Sequence, residues 1–423
     1  MNAASALSHD LIIVGAGPAG LSFARSLADT GLRIAIVERL SRAELADPPF
    51  DGREIALTHP SVELLQALDI WPRIDPDAIA PLRDAEVRNG RSQRSIFFDH
   101  RDSHREQLGY LVPNHLIRRA AWASAVDANA AEVITDARVT AVDSDEHSAQ
   151  VTLEDGRVLR AALIVAADSR FSETRRAMGI AARMQDFGKT MLVCRMRHER
   201  PHQQVAREWF DYGATLALLP LNGDVSSVVL TQPHRDIAPL TEMDADAFAR
   251  QIESRLDGHL GRMELISTRH AYPLVAVYAD RFYGRRYALI GDAAVGMHPV
   301  TAHGFNFGLS GQALLSREIR RAVERGSDIG LATGLARYAS AHRRATAPLY
   351  TATNAIVRLY TDDRLPARIA RDAALRVGHR LAPFRQAVIH TLTAEGANDP
   401  LAAAGAALRA GRSMLPRLGP GRG

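Results

Sequence analysis

A single cysteine, Cys194, in 423 residues leaves no disulfide framework and no cysteine-based metal site, and it argues against a dithiol relay. Any redox chemistry must come from a bound cofactor. No apolar run reaches the length of a membrane span, and the N-terminus lacks a basic stretch followed by an apolar one. A cytoplasmic location is the expectation. The histidine pairs His100/His104 and His198/His202 have i,i+4 spacing. Pro201 interrupts the second, and neither has a carboxylate at a convincing ligand spacing, so they read as loop histidines and no metal is expected. Net charge is small as well, at +4, but it is unevenly spread. From Arg364 to Gly423 ten arginines stand against Asp372, Glu395 and Asp399. A basic tail on a neutral body suits an anionic surface or partner and not a nucleic-acid groove.

What is present is globular: 46% hydrophobic and 24% charged residues, enough for two domains or one with an insertion. Residues 10–38 read as a buried strand, a turn Gly15-x-Gly17-x-x-Gly20, an amphipathic helix to about Asp29, and a second strand ending on Glu38. The first two glycines permit a tight turn with a phosphate close to the backbone, and the third lets helix and strand approach. The helix start suits a pyrophosphate. Glu38 falls where an acid accepts from a ribose hydroxyl, which disfavours a 2′-phosphate. FAD or NAD therefore fits better than NADP.

Four further stretches carry chemistry. Asp51-Gly52 makes a turn that projects Arg53, by itself best explained as a surface ion pair. Asn114 reads as a helix N-cap, with Arg118 one turn on. The strand Ala162 to Ala167 closes on Asp168, with Arg170, Arg175 and Arg176 behind it, either for phosphates or on a solvated helix face. The strand Tyr287 to Ile290 runs into Gly291-Asp292, then His298-Pro299, then Gly304-Phe305-Asn306 opening a helix to about Ala322. A buried carboxylate needs a polar partner, and a helix start offers unpaired N–H groups and a positive dipole end. That pairing suits a cofactor that gains negative charge, as a reduced flavin does; a βα unit with a Gly-rich turn explains the stretch equally well. Between them, Thr190 to Arg195, Glu208 to Tyr212, Thr215 to Leu219 and Ser226 to Thr231 read as an antiparallel sheet, followed by one helix at about 245–256.

Gly15-x-Gly17-x-x-Gly20 with Glu38, Asp168 after a strand, and Gly291-Asp292 with His298-Pro299 occur in the order found in FAD-dependent aromatic monooxygenases. The chain resembles that superfamily, the p-hydroxybenzoate hydroxylase type, over residues 9–395. Asp51-Gly-Arg-Glu-Ile-Ala-Leu and Gly304-Phe-Asn are similar to the ubiquinone-biosynthesis hydroxylases. Gly296-Met-His-Pro-Val-Thr-Ala-His-Gly-Phe-Asn and Asp186-Phe-Gly-Lys-Thr-Met look most like the UbiM-type 5-demethoxyubiquinol hydroxylases. Two positions depart from the pattern: Ser169 where the superfamily usually has glycine, and His303 where the ubiquinone branch often has glutamine.

The resemblance implies an α/β fold: a Rossmann-like FAD-binding domain (1–80, 101–180, 273–363), an inserted antiparallel-sheet substrate domain (81–100, 181–272) and a basic helical tail (364–423). It implies that Gly15, Gly17, Gly20, Glu38, Arg39 and Val139 hold the ADP half of FAD, and that Arg118 and Asp168 approach ribose and pyrophosphate. Asp292 takes the ribityl or pyrophosphate region, Gly304, Phe305 and Asn306 present N–H groups to the flavin, and Arg53 lies near its ring. Pro220 and Leu219 line the substrate pocket; His303, Arg53 and Pro299 are the candidate catalytic residues. The activity implied is hydroxylation of a polyprenylated ubiquinone precursor, demethoxyubiquinol foremost, by O2 through a flavin C4a-hydroperoxide. Electrons come from NAD(P)H or a partner reductase. A ubiquinone-biosynthesis complex and peripheral membrane contact through the tail are the expected partners, with no nucleic acid. The alternatives are hydroxylation of a soluble phenol and a non-catalytic flavoprotein scaffold. A halogenase would need a Trp-x-Trp-x-Ile-Pro element, and Trp71, Trp122 and Trp209 are isolated. An NAD-dependent dehydrogenase would leave Gly291-Asp292 unexplained.

Overall fold

The computed structural model describes residues 7–89, 95–103, 105–211, 213–298 and 303–361. Pro299, His104 and the basic segment 364–423 lie outside the described residues. The strand Leu11–Val14, buried at all four positions, is central to a six-stranded sheet. It pairs in parallel with Ile34–Val37 and with Leu163–Ala166. Glu132–Ile134 and Tyr287–Leu289 extend the sheet in parallel on either side. Strands covered on both faces read as unbroken apolar runs, and these do. The register pairs Val14 with Val37 and Ala166, and Ala166 with Leu289. Four neighbouring strands therefore end at one level, and the residues that follow them share one edge.

The second large sheet has nine strands. Its path runs Val295–Gly296, His270–Ala279, Ala182–His198, Val225–Pro233, Ala214–Pro220, Val205–Asp211, Asp84–Asn89, Ser95–Phe98, with Met263–Leu265 beside Ala182–His198. Side chains alternate between its faces. Leu192, Cys194, Met196, Leu216, Leu218, Val228 and Leu230 pack under two helices with Ile237, Phe248 and Ile252. Those helices are His234–Glu242 and Ala245–Arg255. The first was not anticipated, because Pro239 inside it reads as a breaker. Burial of Ile237 and Leu240 on the sheet outweighs the hydrogen bond the proline removes. Cys194 is fully buried, and burial pushes its thiol up to about 12, so it is inert.

Of the histidines at 198 and 202, only the second is a loop residue. His198 ends a strand and is buried, its ring bonded to Arg200 O and Ser226 Oγ; His202 is buried on Leu221 O. Each is spent on internal acceptors. His100 lies with Asp84 and Asp99 in a group whose ligand atoms fall within 4.8 Å, carboxylates that sequence spacing alone did not bring together. Arg83 and Arg101 already pair with those two acids. No described helix is long and apolar enough to cross a membrane.

Candidate active site

The turn after Leu11–Val14 is built by three glycines with different duties. Gly15 has φ +109°, and a Cβ there would meet Ala167 O at 2.6 Å. A Cβ on Gly20 would lie 2.0 Å from Gly15 O. A Cβ on Gly17 would meet nothing within 4 Å, so nothing in the protein itself demands glycine there. A group approaching the backbone from outside does, as a pyrophosphate would. The helix Pro18–Arg25 that follows has Gly17 as N-cap with no side-chain cap and no acid in its first turn. Its amide end is open to an anion.

Glu38 stands at the end of the neighbouring strand. Its carboxylate accepts from Ala16 N at 2.7 Å and Leu40 N at 3.0 Å, which ties the second strand's end to the glycine turn. Val139 begins a strand just beyond Ala137, whose N–H bonds Glu38 O. Arg39 is exposed. Arg118, on the helix Asn114–Asp127, makes no hydrogen bond or ion pair among the described residues.

Asp168 is turned onto its own chain. It accepts from Ser172 Oγ at 2.5 Å and Thr174 N at 3.1 Å. Two of the three arginines behind it, Arg170 and Arg175, are neither on a solvated face nor free for phosphate. Arg175 is 2% exposed and donates to Arg170 O and Ala293 O. Arg170 donates to Asp292 Oδ2 at 3.1 Å and Val275 O at 3.3 Å. Together they lash the second turn to Gly291-Asp292. Arg176 alone lies on the surface.

Gly291, at φ +59°, comes close to the glycine-turn helix: a Cβ on it would sit 3.0 Å from Ala19 Cβ. Gly308 of the long helix Gly304–Glu324 packs on Gly291 Cα. Small residues thus bring two helix starts to one place. The long helix has His303 as N-cap with no side-chain cap and no acid in its first turn. His303 is buried. The Asn306 side chain points elsewhere: it accepts from Thr58 N and donates to Ala56 O, at 3.1 and 2.9 Å. Its part in the site is to fix the strand Glu54–Leu57, which follows Arg53.

Arg53 is not a plain surface ion pair. It chelates Asp51 with Nη2 at 2.6 Å and lies 5.2 Å over the Tyr272 ring. Asn114 is the first helical residue and not the N-cap, which is Pro113; its amide donates to Asp51 Oδ2 at 2.7 Å. Burial works against the Asp51 charge, yet Arg53 and Asn114 hold its carboxyl below the ordinary range. Gly52, at φ +74°, presses on the nine-stranded sheet, where a Cβ would meet Val193 Cγ2 at 2.8 Å. Nearby, fully buried Glu54 receives two hydrogen bonds from Arg195 of that sheet. The sequence signal for this bridge was an arginine inside the apolar run Met191-Leu-Val-Cys-Arg195-Met. On the same face of the sheet Leu219 packs with Ala56 and Ala206, and Pro220 closes the strand, paired with Ser226. His298 is buried edge-on to Phe187 at 4.8 Å.

A parallel sheet with a glycine turn, two open helix starts at its strand ends and an antiparallel sheet packed against them suit a bound flavin dinucleotide. The profile of the FAD binding domain family matches residues 8–348, and the chain belongs to that family as an FAD-dependent aromatic monooxygenase. The ubiquinone hydroxylase UbiM of Neisseria meningitidis is 46% identical over 92% of this chain and 85% of its own. The ubiquinone hydroxylase UbiL of Rhodospirillum rubrum is 32% identical over 89% and 87%. Among solved structures, p-nitrophenol 4-monooxygenase PnpA from Pseudomonas putida superposes with a TM-score of 0.71 at 18% identity, over 91% of this chain and 98% of that one. At that identity the likeness speaks for the fold.

Proposed function

We propose that this monooxygenase hydroxylates the aromatic ring of a polyprenylated ubiquinone precursor, with demethoxyubiquinol as the substrate. The observation that carries the reading is the 46% identity to a ubiquinone hydroxylase over 92% of the chain. FAD, when bound, supplies the electron transfer and oxygen activation that the side chains lack; NAD(P)H or a partner reductase supplies its electrons.

The chain's own work is to bind, orient and shield. Gly15, Gly17 and Gly20 with the helix start at Pro18 take the pyrophosphate, and Glu38 takes a ribose hydroxyl. Arg39 and Val139 flank the adenosine, and Arg118 and Asp168 the ribose and pyrophosphate. Asp292, braced by Arg170, takes the ribityl chain. The helix start at Gly304, Phe305 and Asn306 favours negative charge on the reduced ring. Arg53 stands beside that ring, and Leu219 and Pro220 line the substrate side. His303 relays a proton, and Pro299, the other candidate on that stretch, lies outside the described residues. Retention of full activity by His303→Asn from pH 6 to 8 would remove the relay.

The substrate is tested by mass spectrometry of quinone extracts from cells lacking the gene. Accumulation of demethoxyubiquinone is expected. An earlier prenylphenol would overturn the ring position, and unchanged ubiquinone with turnover of soluble phenols would favour the alternative. A ubiquinone-biosynthesis complex and contact with anionic lipid through residues 364–423 complete the reading. Flotation with anionic liposomes, full-length against a truncation after Asp363, tests the lipid contact, and equal behaviour would remove it.

A further inference from the structure

The face of the nine-stranded sheet turned toward the dinucleotide-binding domain carries two apolar patches. One holds Ala85, Val87, Ala206 and Leu219 with Leu111; the other holds Met191, Val193, Val229 and Tyr272. Between them lies Glu208. It pairs with Ala217 on one side and Val87 on the other, and Ala217 leads through Val229 to Val193. Its neighbour Trp209 packs under the helices with Leu216 and Leu218, so alternation turns Glu208 to the opposite face. The carboxyl makes no hydrogen bond or ion pair among the described residues. The residue is half-buried, on a face whose other side chains are apolar. Burial alone pushes it up to about 8. Val87 and Ala217 carry no charge, and Glu86, Arg88 and Arg207 point to the other face, where they pair with each other.

An unpaired carboxyl between apolar patches is unfavourable for the fold, and no contact in the protein requires it. We infer that Glu208 hydrogen-bonds a ring hydroxyl of the substrate and so holds the open ring carbon in place for hydroxylation. This rests on the proposed aromatic substrate. A neutral carboxyl both donates and accepts, which matches a phenolic hydroxyl beside a methoxy group.

The test compares the FAD-loaded full chain with Glu208→Leu and Glu208→Gln. Thermal melting is recorded, together with binding of 2-methoxy-6-propylphenol and of its O-methyl ether, read from the flavin absorbance. Both variants are expected to melt at or above the wild type, since each removes an unpaired carboxyl. Wild type should prefer the phenol about tenfold, Glu208→Leu should lose that preference, and Glu208→Gln should keep most of it, as expected for one hydrogen bond to a buried group. A Glu208→Leu protein that still prefers the phenol overturns the inference. So does one that melts lower and sheds FAD, because the carboxyl would then be structural. If the wild type itself fails to distinguish the two ligands, recognition of a ring hydroxyl fails, and this inference fails with it.

Discussion

Gly17 and Gly20 lie three residues apart in one turn and are glycines for opposite reasons. Gly20 has no room for a side chain, since its Cβ would fall 2.0 Å from Gly15 O; Gly17 faces open space. Gly17→Ala is therefore expected to leave the melting of the FAD-free protein within about 1 kcal/mol of wild type while FAD content falls. Gly20→Ala should lower both. Equal loss of apo stability in the two variants would contradict the assignment. Ser169 offers the converse case. It holds φ +88°, a left-handed conformation that costs a non-glycine residue about 1–2 kcal/mol. The superfamily's preference for glycine there has its physical reason in this angle. Ser169→Gly should raise the melting temperature, and an unchanged or lower value would mean that other contacts offset the strain.

At the scale of elements, the long helix Gly304–Glu324 is held in place by the helix Ala332–Thr361. His342 is fully buried at their contact. A Cβ on Gly311 would reach its ring at 2.8 Å, and Tyr338, stacked on it, donates to Leu289 O. The helix pair thereby rests on the strand that leads to Asp292. Burial drives His342 down to about 4, and burial with Lys189 and Arg170 does the same to His298. A histidine depressed in the folded state binds fewer protons there than when unfolded, so stability falls as pH drops from about 6.5 toward 4. Each contributes about 2 kcal/mol of that loss by pH 5. His342→Phe keeps a ring in the gap and removes one titration. Its unfolding free energy should fall less between pH 7 and pH 5 than that of wild type, and parallel pH curves would refute the assignment.

For the molecule as a whole, the joint between the small sheet that holds the strand Glu54–Leu57 and the nine-stranded sheet rests on one buried ion pair. Glu54 is fully buried, and burial keeps its carboxyl above the usual range even with Arg195 beside it. Arg195→Met strands that carboxyl and should cost roughly 3 kcal/mol in urea unfolding. The double variant Glu54→Gln/Arg195→Met should recover most of this, because the pair's removal leaves no lone charge. A double variant as unstable as the single one would show that packing, not charge, closes the joint.

Much of this organisation was legible along the chain. The apolar runs ending on Gly15, Glu38, Asp168 and Asp292 depend only on local pattern, and a parallel sheet places such ends on one edge. Asn114 was misread as a cap because capping is the local use of asparagine, and its partner Asp51 lies 63 residues away. Arg175 could be read for phosphate or for a solvated face because its partner, Ala293 O, comes from 118 residues on. The sequence by itself therefore determined the cofactor class, the turns and the strand ends, since these need only short-range spacing. Only the tertiary structure decided which arginines brace turns, that Asn306 anchors the Arg53 strand, and that Glu208 is left unpaired between two apolar patches. Those depend on which distant polar groups meet, and on which find no partner once buried.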